Sequence, residues 1–412
     1  MSDEILPSVN RLEQEISAKN YELACLELIK ILTKLDCNFG GIEGIQFDYP
    51  KQLSDLSEKH LTYFCTRVAN AITNLFIDPD LHISESGALR FITLQRWLTM
   101  IFSTSPYVNA DHILRTYNIN PDLKGDMCLK TDFSSFAKFC ILYLPESNIN
   151  VDLNALWEIN KALCASLCFA LQSPRFIGTS TAFNKRAAIL QWFPEKLAEF
   201  ENLDELPAGI SHDVYMHCSY DFASNKHYVK RALNKVIRGH LLAQGWEDRK
   251  IISLGRYNDK PVMIVLLEHF NSAHSIYRTH STSMIAARER FYLIGIGRKE
   301  VDKAGRDVFD EFFQLEGNSI LKNLEFIRRT CEEYGAAVFY MPSIGMDLIT
   351  IFASNTRLAP IQAIALGHPA TTYSDFIEYV VVEDDYVGSE DCFSETLIRL
   401  PKDSLPYVPS AL

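Results

Sequence analysis

Apolar residues recur at helical spacing through the first ~240 positions, then gather into short unbroken runs further along the chain. Ala24, Leu28, Leu32 and Leu35 form one stripe, and Phe91, Leu94, Trp97, Leu98, Ile101 and Phe102 form a second. Leu156, Ile159, Leu163, Leu167 and Leu171 form a third. Turn-rich breaks separate the stripes: NFGG at 38–41, FIDPD at 76–80, SPYVNAD at 105–111, NINPD at 118–122 and LPESN at 144–148. This cadence predicts stacked helical hairpins without a strict repeat period. Near residue 245 the texture changes. Ile251–Leu254, Val262–Leu267, Phe291–Ile296, Ala336–Tyr340 and Tyr379–Val382 read as strands, with helices over Ala304–Gln314 and Leu321–Glu333. The expected fold class is therefore α followed by α/β. An all-α domain spans 1–245, and one doubly wound, Rossmann-like domain of five or six parallel strands spans 246–412.

Composition narrows the function classes. Hydrophobic residues make up 47% of the 412 and charged residues 22%, the balance of a globular protein. A net charge of −12 argues against a general nucleic-acid or anionic-membrane binder, because a phosphate surface demands a basic one. A local basic pocket for one phosphorylated ligand remains compatible with it. The ten cysteines include no Cys-x-x-Cys pair. Cys164 and Cys168 share one helix face within LCASLCFAL and read as small core residues rather than zinc ligands. MSDEILPSVN lacks the basic and apolar regions of a secretory signal, and no apolar run approaches the roughly 20 residues of a membrane span. The expectation is a soluble, cytoplasmic protein.

Three segments carry candidate chemistry. The first follows Val262–Leu267, an apolar run of the kind buried on both faces of a parallel sheet, where ligands bind beyond the strand carboxyl ends. There stand Glu268, His269, Phe270, His274, Tyr277, Arg278, His280 and Ser281. An imidazole could serve as base or hydrogen-bond donor, with Arg278 available for an anion; the plainer alternative is structural histidines bonded to backbone. The second is SHDVYMHCSYD at 211–221, with His212, Asp213, Tyr215, His217, Tyr220 and Asp221, either an acceptor-binding wall or a buried polar network. The third is 342–372. There a helix is expected to start near Pro360 and lead to a Gly367-His368-Pro369 turn that presents His368, Thr371 and Thr372; a core histidine is the alternative. No Walker loop, full dinucleotide fingerprint, Gly-x-Ser-x-Gly elbow or His-Glu-x-x-His helix occurs.

RLAPIQAIALGHPATT resembles the signature of glycosyltransferase family 41, whose Ala-Pro-Ile/Val-Gln helix leads to a Gly-x-Pro turn. NFGG (38–41), LCASLCFALQSPRF (163–176), GTSTAFNKRAAILQWFP (178–194), SHDVYMHCSYD (211–221), LLEHFNSAHSIYRTHSTSMIAARE (266–289), FYMPSIGMD (339–347) and SDFIEYVVVEDDYVGSE (374–390) extend the likeness over nearly the whole chain. They point to the bacterial cytoplasmic protein N-glycosyltransferases, which act on adhesins. The resemblance implies an all-α domain followed by the amino-terminal half of a GT-B fold. It also implies glucose transfer from UDP-glucose to Asn in Asn-x-Ser/Thr, with inversion, without metal and without any other cofactor. His274 matches the histidine proposed at the reaction centre and His269 a neighbour. Phe39 and Tyr220 match acceptor-binding positions, with His212, Asp213 and His368 as further cleft residues.

One departure qualifies that expectation. The family's second Rossmann-like domain, which supplies most uridine and diphosphate contacts, has no counterpart in the 412 residues. UDP-sugar binding is therefore expected only with a complementing C-terminal domain. A truncated frame, half of a split enzyme, or a catalytically dead adhesin-binding module are the open readings.

Overall fold

The computed structural model describes residues 6–50, 57–119, 127–175, 177–367, 370–404 and 407–409. The chain divides into two compact units, Met1–Ile189 with Glu205–Ile210, and Leu190–Asp204 with Ser211–Leu412. The change of texture near 245 thus marks a change of secondary structure inside the second unit.

The first unit is helical. Its helices include Val9–Ser17, Tyr21–Cys37, Ser57–Ile77, Phe133–Leu142 and Lys161–Gln172, and their apolar stripes close on a core of Leu28, Leu32, Phe64, Phe91, Phe136, Phe139 and Phe169. Two stripes that read as single helices are each two. The second breaks at Leu94 into Glu85–Thr93 and Gln95–Thr104. There Gln95 turns inward, and its amide donates to the carbonyls of Cys140, Ile141 and Tyr143, which end helix Phe133–Leu142. The third breaks at Asn160 into Leu153–Ile159 and Lys161–Gln172. The extended Asn160 backbone and its side chain, accepting from Leu163 N–H, form an N-cap that competes with a continuous helix.

The second unit carries an eight-stranded sheet: β1 (Arg256–Tyr257), β2 (Lys260–Leu266), β3 (Tyr292–Gly297), β4 (Glu311–Gln314), β5 (Val338–Met341), β6 (Ile361–Ala365), β7 (Tyr379–Glu383) and β8 (Thr396–Leu400). Seven strands are parallel in the order β4-β3-β2-β5-β6-β7-β8, with β1 antiparallel on β2. The chain steps outward from β2 through β3 to β4, then returns to place β5 on the other side of β2. The switch point, where an open parallel sheet forms its ligand crevice, lies between β2 and β5.

Three expectations needed correction. Ile251–Leu254 is not a strand, and Ile252 is 97% exposed. Ala304–Gln314 is a short helix, Lys303–Arg306, followed by β4; Asp310 accepts from Leu293 N–H and pairs with Arg288, turning the chain into the sheet. The helix expected at Pro360 is β6. Gln362, wholly buried, accepts from the amides of Leu358 and Ala359 and donates to the carbonyls of Thr356 and Phe376, so the backbone enters between β5 and β7 extended. Tertiary pairing outweighs proline's first-turn preference there. β8 was not foreseen.

Helix Ser275–Ala287 covers one face of β2 and β3 through Ile276 and Met284. His280, on the same helix, is 1% exposed, neither ring nitrogen has a partner among the described residues, and burial depresses its pKa to about 4. The unfolded chain takes up a proton on this ring near pH 6.5, whereas the folded chain resists it to about 4. Stability should therefore fall as the pH drops through that window, by at most about 3 kcal/mol from this residue. Urea titrations at stepped pH should show that loss in the parent chain and a smaller one in His280→Leu.

Candidate active site

Glu268 stands two residues past the end of β2 and Ser343 two past the end of β5, on either side of the switch point. Glu268 is 5% exposed and accepts from Ser343 Oγ (2.8 Å), Met346 N–H (2.8 Å), Asp347 N–H (2.9 Å) and Thr350 Oγ1 (2.6 Å). Burial raises its pKa, against the pull of those four donors. Asp347 N-caps helix Leu348–Ala353 and pairs with Arg298, just past β3, at 2.7 Å. One carboxylate thus ties the ends of β2 and β5 together, and the next ties in β3.

His269 follows directly. Its ring centroid lies 5.3 Å from that of His274. His274 is the N-cap of helix Ser275–Ala287, and its Nδ1 accepts from Ile276 N–H at 3.3 Å. Burial, the His269 ring and Arg278 all lower the His274 pKa, in that order. A neutral imidazole with Nδ1 engaged as acceptor carries its proton on Nε2. His274 therefore keeps its proton on Nε2, at the positive pole of a helix and beside a second imidazole.

The other two sequence segments reach this edge. In helix Ser211–His217, Tyr215 packs its ring on Gly345, where a Cβ would lie 2.9 Å from it; Gly345 has φ +108°. Asp213 on that helix is buried and lies 3.3 Å from His212 Nε2, while Tyr220, just beyond, is 43% exposed. Gly367 donates its N–H to the Pro342 carbonyl and sits against Ser343 and Ile276, with no room for a Cβ. Lys230 Nζ donates to the Thr371 carbonyl (3.0 Å) and Asn234 to that of Thr372 (2.9 Å), while Glu395 accepts from Thr371 Oγ1 and Thr372 N–H. The chain after Gly367 is therefore pinned at Thr371–Thr372. His368 itself lies outside the described residues.

Three candidates stand elsewhere. Arg278 places its guanidinium 4.9 Å over the Tyr407 ring, and its Nε has no partner among the described residues. His280 faces the apolar side of the sheet. Phe39 belongs to the first unit, 95% exposed in the Asn38–Gly41 turn with φ +51°; Gly40 N–H bonds to Leu35 O and closes that turn. An aromatic ring held in solvent by a strained turn is suited to recognition. Glu268, Asp347, Arg298, Lys230 and Glu395 received no role from sequence. Only Glu268, directly after a buried strand, carried a signal. Among the described residues no group of three or more His, Cys, Asp or Glu side chains is arranged to hold a metal ion.

Residues 7–149 match the HMW1C N-terminal family, and residues 154–241 match HMW1 domain 2. Along its full length the chain is 66% identical to the UDP-glucose:protein N-beta-glucosyltransferases of Actinobacillus pleuropneumoniae serotype 5b (strain L20) and serotype 7 (strain AP76). The chain belongs to the HMW1C glycosyltransferase family. It spans 67% of the length of both relatives. An O-GlcNAc transferase mutant from Thermobaculum terrenum superposes with TM-score 0.35 at 13% identity, covering 78% of this chain and 58% of the other, too loosely to bear on the argument. No described helix of this family member is long and apolar enough to cross a membrane.

Glu268→Leu should strip the acceptor from four donors, two of them the buried hydroxyls of Ser343 and Thr350, and lower unfolding free energy by about 3 kcal/mol. Urea midpoints should report it, with faster amide exchange at Met346 and Asp347; Glu268→Gln, which keeps one carbonyl oxygen, should cost clearly less.

Proposed function

We propose that the chain forms the protein-acceptor side of an inverting, metal-independent N-glucosyltransferase that moves glucose from UDP-glucose to Asn in Asn-x-Ser/Thr of adhesin-type polypeptides in the cytoplasm. The 66% identity over the whole chain to proteins named for that donor and linkage carries the reading. The sheet edge at the switch point, with His269, His274 and Gly367, is the place that this reading gives to the chemistry. In this reading the chain is the amino-terminal Rossmann-like half of a GT-B pair, and the uridine and diphosphate are held mainly by the third of the relatives' length that it does not span.

The transfer joins the asparagine amide nitrogen to the anomeric carbon as the bond from that carbon to diphosphate oxygen breaks with its electron pair; one amide proton passes to the departing diphosphate, directly or through water. An amide nitrogen is a weak nucleophile, so its placement behind the anomeric carbon contributes most. Oxyanion stabilisation without a metal falls to fixed donors and helix amino termini. His274, with Nδ1 occupied, suits the role of donor through Nε2–H, with His269 beside it. Phe39, Tyr220, His212, Asp213 and His368 are assigned to the acceptor polypeptide, and Arg278 to the anionic side.

Transfer is tested by incubating the chain, alone and with the remaining third of the serotype 5b relative, with UDP-glucose and an Asn-x-Thr peptide. Mass spectrometry should show one added hexose in the reconstituted mixture, with or without chelator, and little or none for the chain alone; none in either would overturn the assignment. In the active mixture His274→Ala should lower kcat roughly 10²-fold. His274→Asn, which can cap and donate, should retain more activity than His274→Asp, which can only accept. The reverse order would make His274 the proton acceptor.

A further inference from the structure

Helix Tyr21–Cys37 of the first unit is closed by an aromatic residue at the position that glycine usually takes. Gly40 N–H bonds to Leu35 O at 2.8 Å and Phe39 N–H to Asp36 O at 3.3 Å. This double closure places Phe39 in the left-handed region at φ +51°. Glycine meets no penalty there, whereas a residue with a Cβ does. The Phe39 ring is also 95% exposed. One position thus combines a strained backbone with an apolar ring in water. A neighbouring helix, Gln95–Thr104, holds the turn in that state. Asp36 serves both ends of the brace. Its carbonyl accepts from Phe39 N–H, while its Oδ1 accepts from Trp97 Nε1 at 2.7 Å and from Arg96 Nη2 at 2.6 Å. The turn's backbone rests on the Trp97 indole: a Cβ on Gly40, whose φ is +89°, would stand 3.1 Å from Trp97 Cζ3 and 3.2 Å from Met100 Sδ. The Arg96 guanidinium lies 5.4 Å from the centroid of the same indole, and Asn38 Nδ2 ties the turn to Glu43 O at 2.8 Å.

We infer that Asp36 and Trp97 are positioning residues for the protein substrate: they hold Phe39 as a fixed anchor against which an apolar part of the acceptor polypeptide seats. The inference rests on the acceptor role proposed for Phe39 and deepens it. Strained backbone persists where the surroundings over-determine it, and such positions gather at ligand clamps. Here the surroundings are identifiable, being one carboxylate, one indole and one guanidinium. A ring that is already placed does not have to be ordered when the acceptor arrives, so less of the contact energy is lost on binding. Loosening the brace should therefore weaken the hold on the polypeptide and spare both the sugar donor and the chemical step.

Steady-state kinetics of the 412-residue chain joined by the remaining third of the serotype 5b relative, with UDP-glucose and an Asn-x-Thr peptide, test this. Trp97→Leu and Asp36→Ala should each raise the peptide KM roughly 10-fold, with kcat and the UDP-glucose KM within about twofold of the parent. Asp36→Asn keeps an oxygen that can accept from Trp97 and Arg96 and should stay near the parent values. Phe39→Ala should raise the peptide KM at least as far as Trp97→Leu does. Adding Trp97→Leu to Phe39→Ala should then change nothing more, because the brace has no ring left to hold. Should Trp97→Leu fail to fold, Trp97→Phe, which keeps a ring under Gly40 and loses only the N–H, reads the same brace. Additive losses in the double variant would make Trp97 a general stability residue and overturn the inference, as would a loss confined to kcat. A Phe39→Ala chain that binds the added third less well while its peptide KM is unchanged would place the ring inside the enzyme, and that too would overturn it. A parent mixture that transfers no hexose would remove the proposed function and this inference together; transfer indifferent to Phe39 would remove this inference alone.

Discussion

A single buried carboxylate, Glu268, organises the carboxyl edge of the sheet. Taking an ionised group out of water costs several kcal/mol unless its oxygens are satisfied, and no cation is among its hydrogen-bonding partners. Two hydroxyls and two backbone amides, all from Ser343–Thr350, replace the water. The compensation works only while that loop keeps its shape, so the energetics of one side chain become a geometric constraint on eight residues. Gly345, at φ +108° against Tyr215, is part of that shape, because a side chain there would displace the ring. His269 inherits its position from the same tie, being the next residue in the chain.

The second constraint has the same character. Among the described residues between β6 and β7 no α-helix occurs, and irregular backbone needs its polar groups satisfied. Lys230, Asn234 and Glu395 do this at Thr371 and Thr372. Burial, with a smaller push from Lys226, lowers the Lys230 pKa, while Cys218, Glu395 and the Tyr215 face, 4.5 Å away, favour its charge. Polar clamping in place of helical packing fixes the chain at Thr371–Thr372.

How far the sequence revealed this follows from which forces are local. The stripe Ala24–Leu35 and the run Val262–Leu267 were legible because period alone sets the buried face. Breaks at Leu94 and Asn160 were not, since each depends on a side chain finding a partner: Gln95 on the Cys140–Tyr143 carbonyls, Asn160 on its own third amide. β6 was misread for a similar reason, as the alternation that marks it is masked by Pro360 and decided by Gln362. At the crevice, His269 and His274 were legible as polar groups beyond a buried strand. Glu268 was visible and given no role, for its four partners lie 75 to 82 residues away.

Spacing explains why three imidazoles within twelve residues do not form one cluster. His274 begins its helix and His280 lies six residues on, a rotation of about 600°, which leaves the two side chains about 120° apart around the axis. The first meets the crevice and His269; the second is carried to the apolar side of the sheet, where burial keeps it uncharged. Arg278, four residues after His274, turns about 40° past it and finds Tyr407 instead of the imidazoles. A helix that starts at a crevice can commit only its first turn to it. The rest of this sheet edge is therefore built from other chain segments: Ser343–Asp347, Gly367 and helix Ser211–His217.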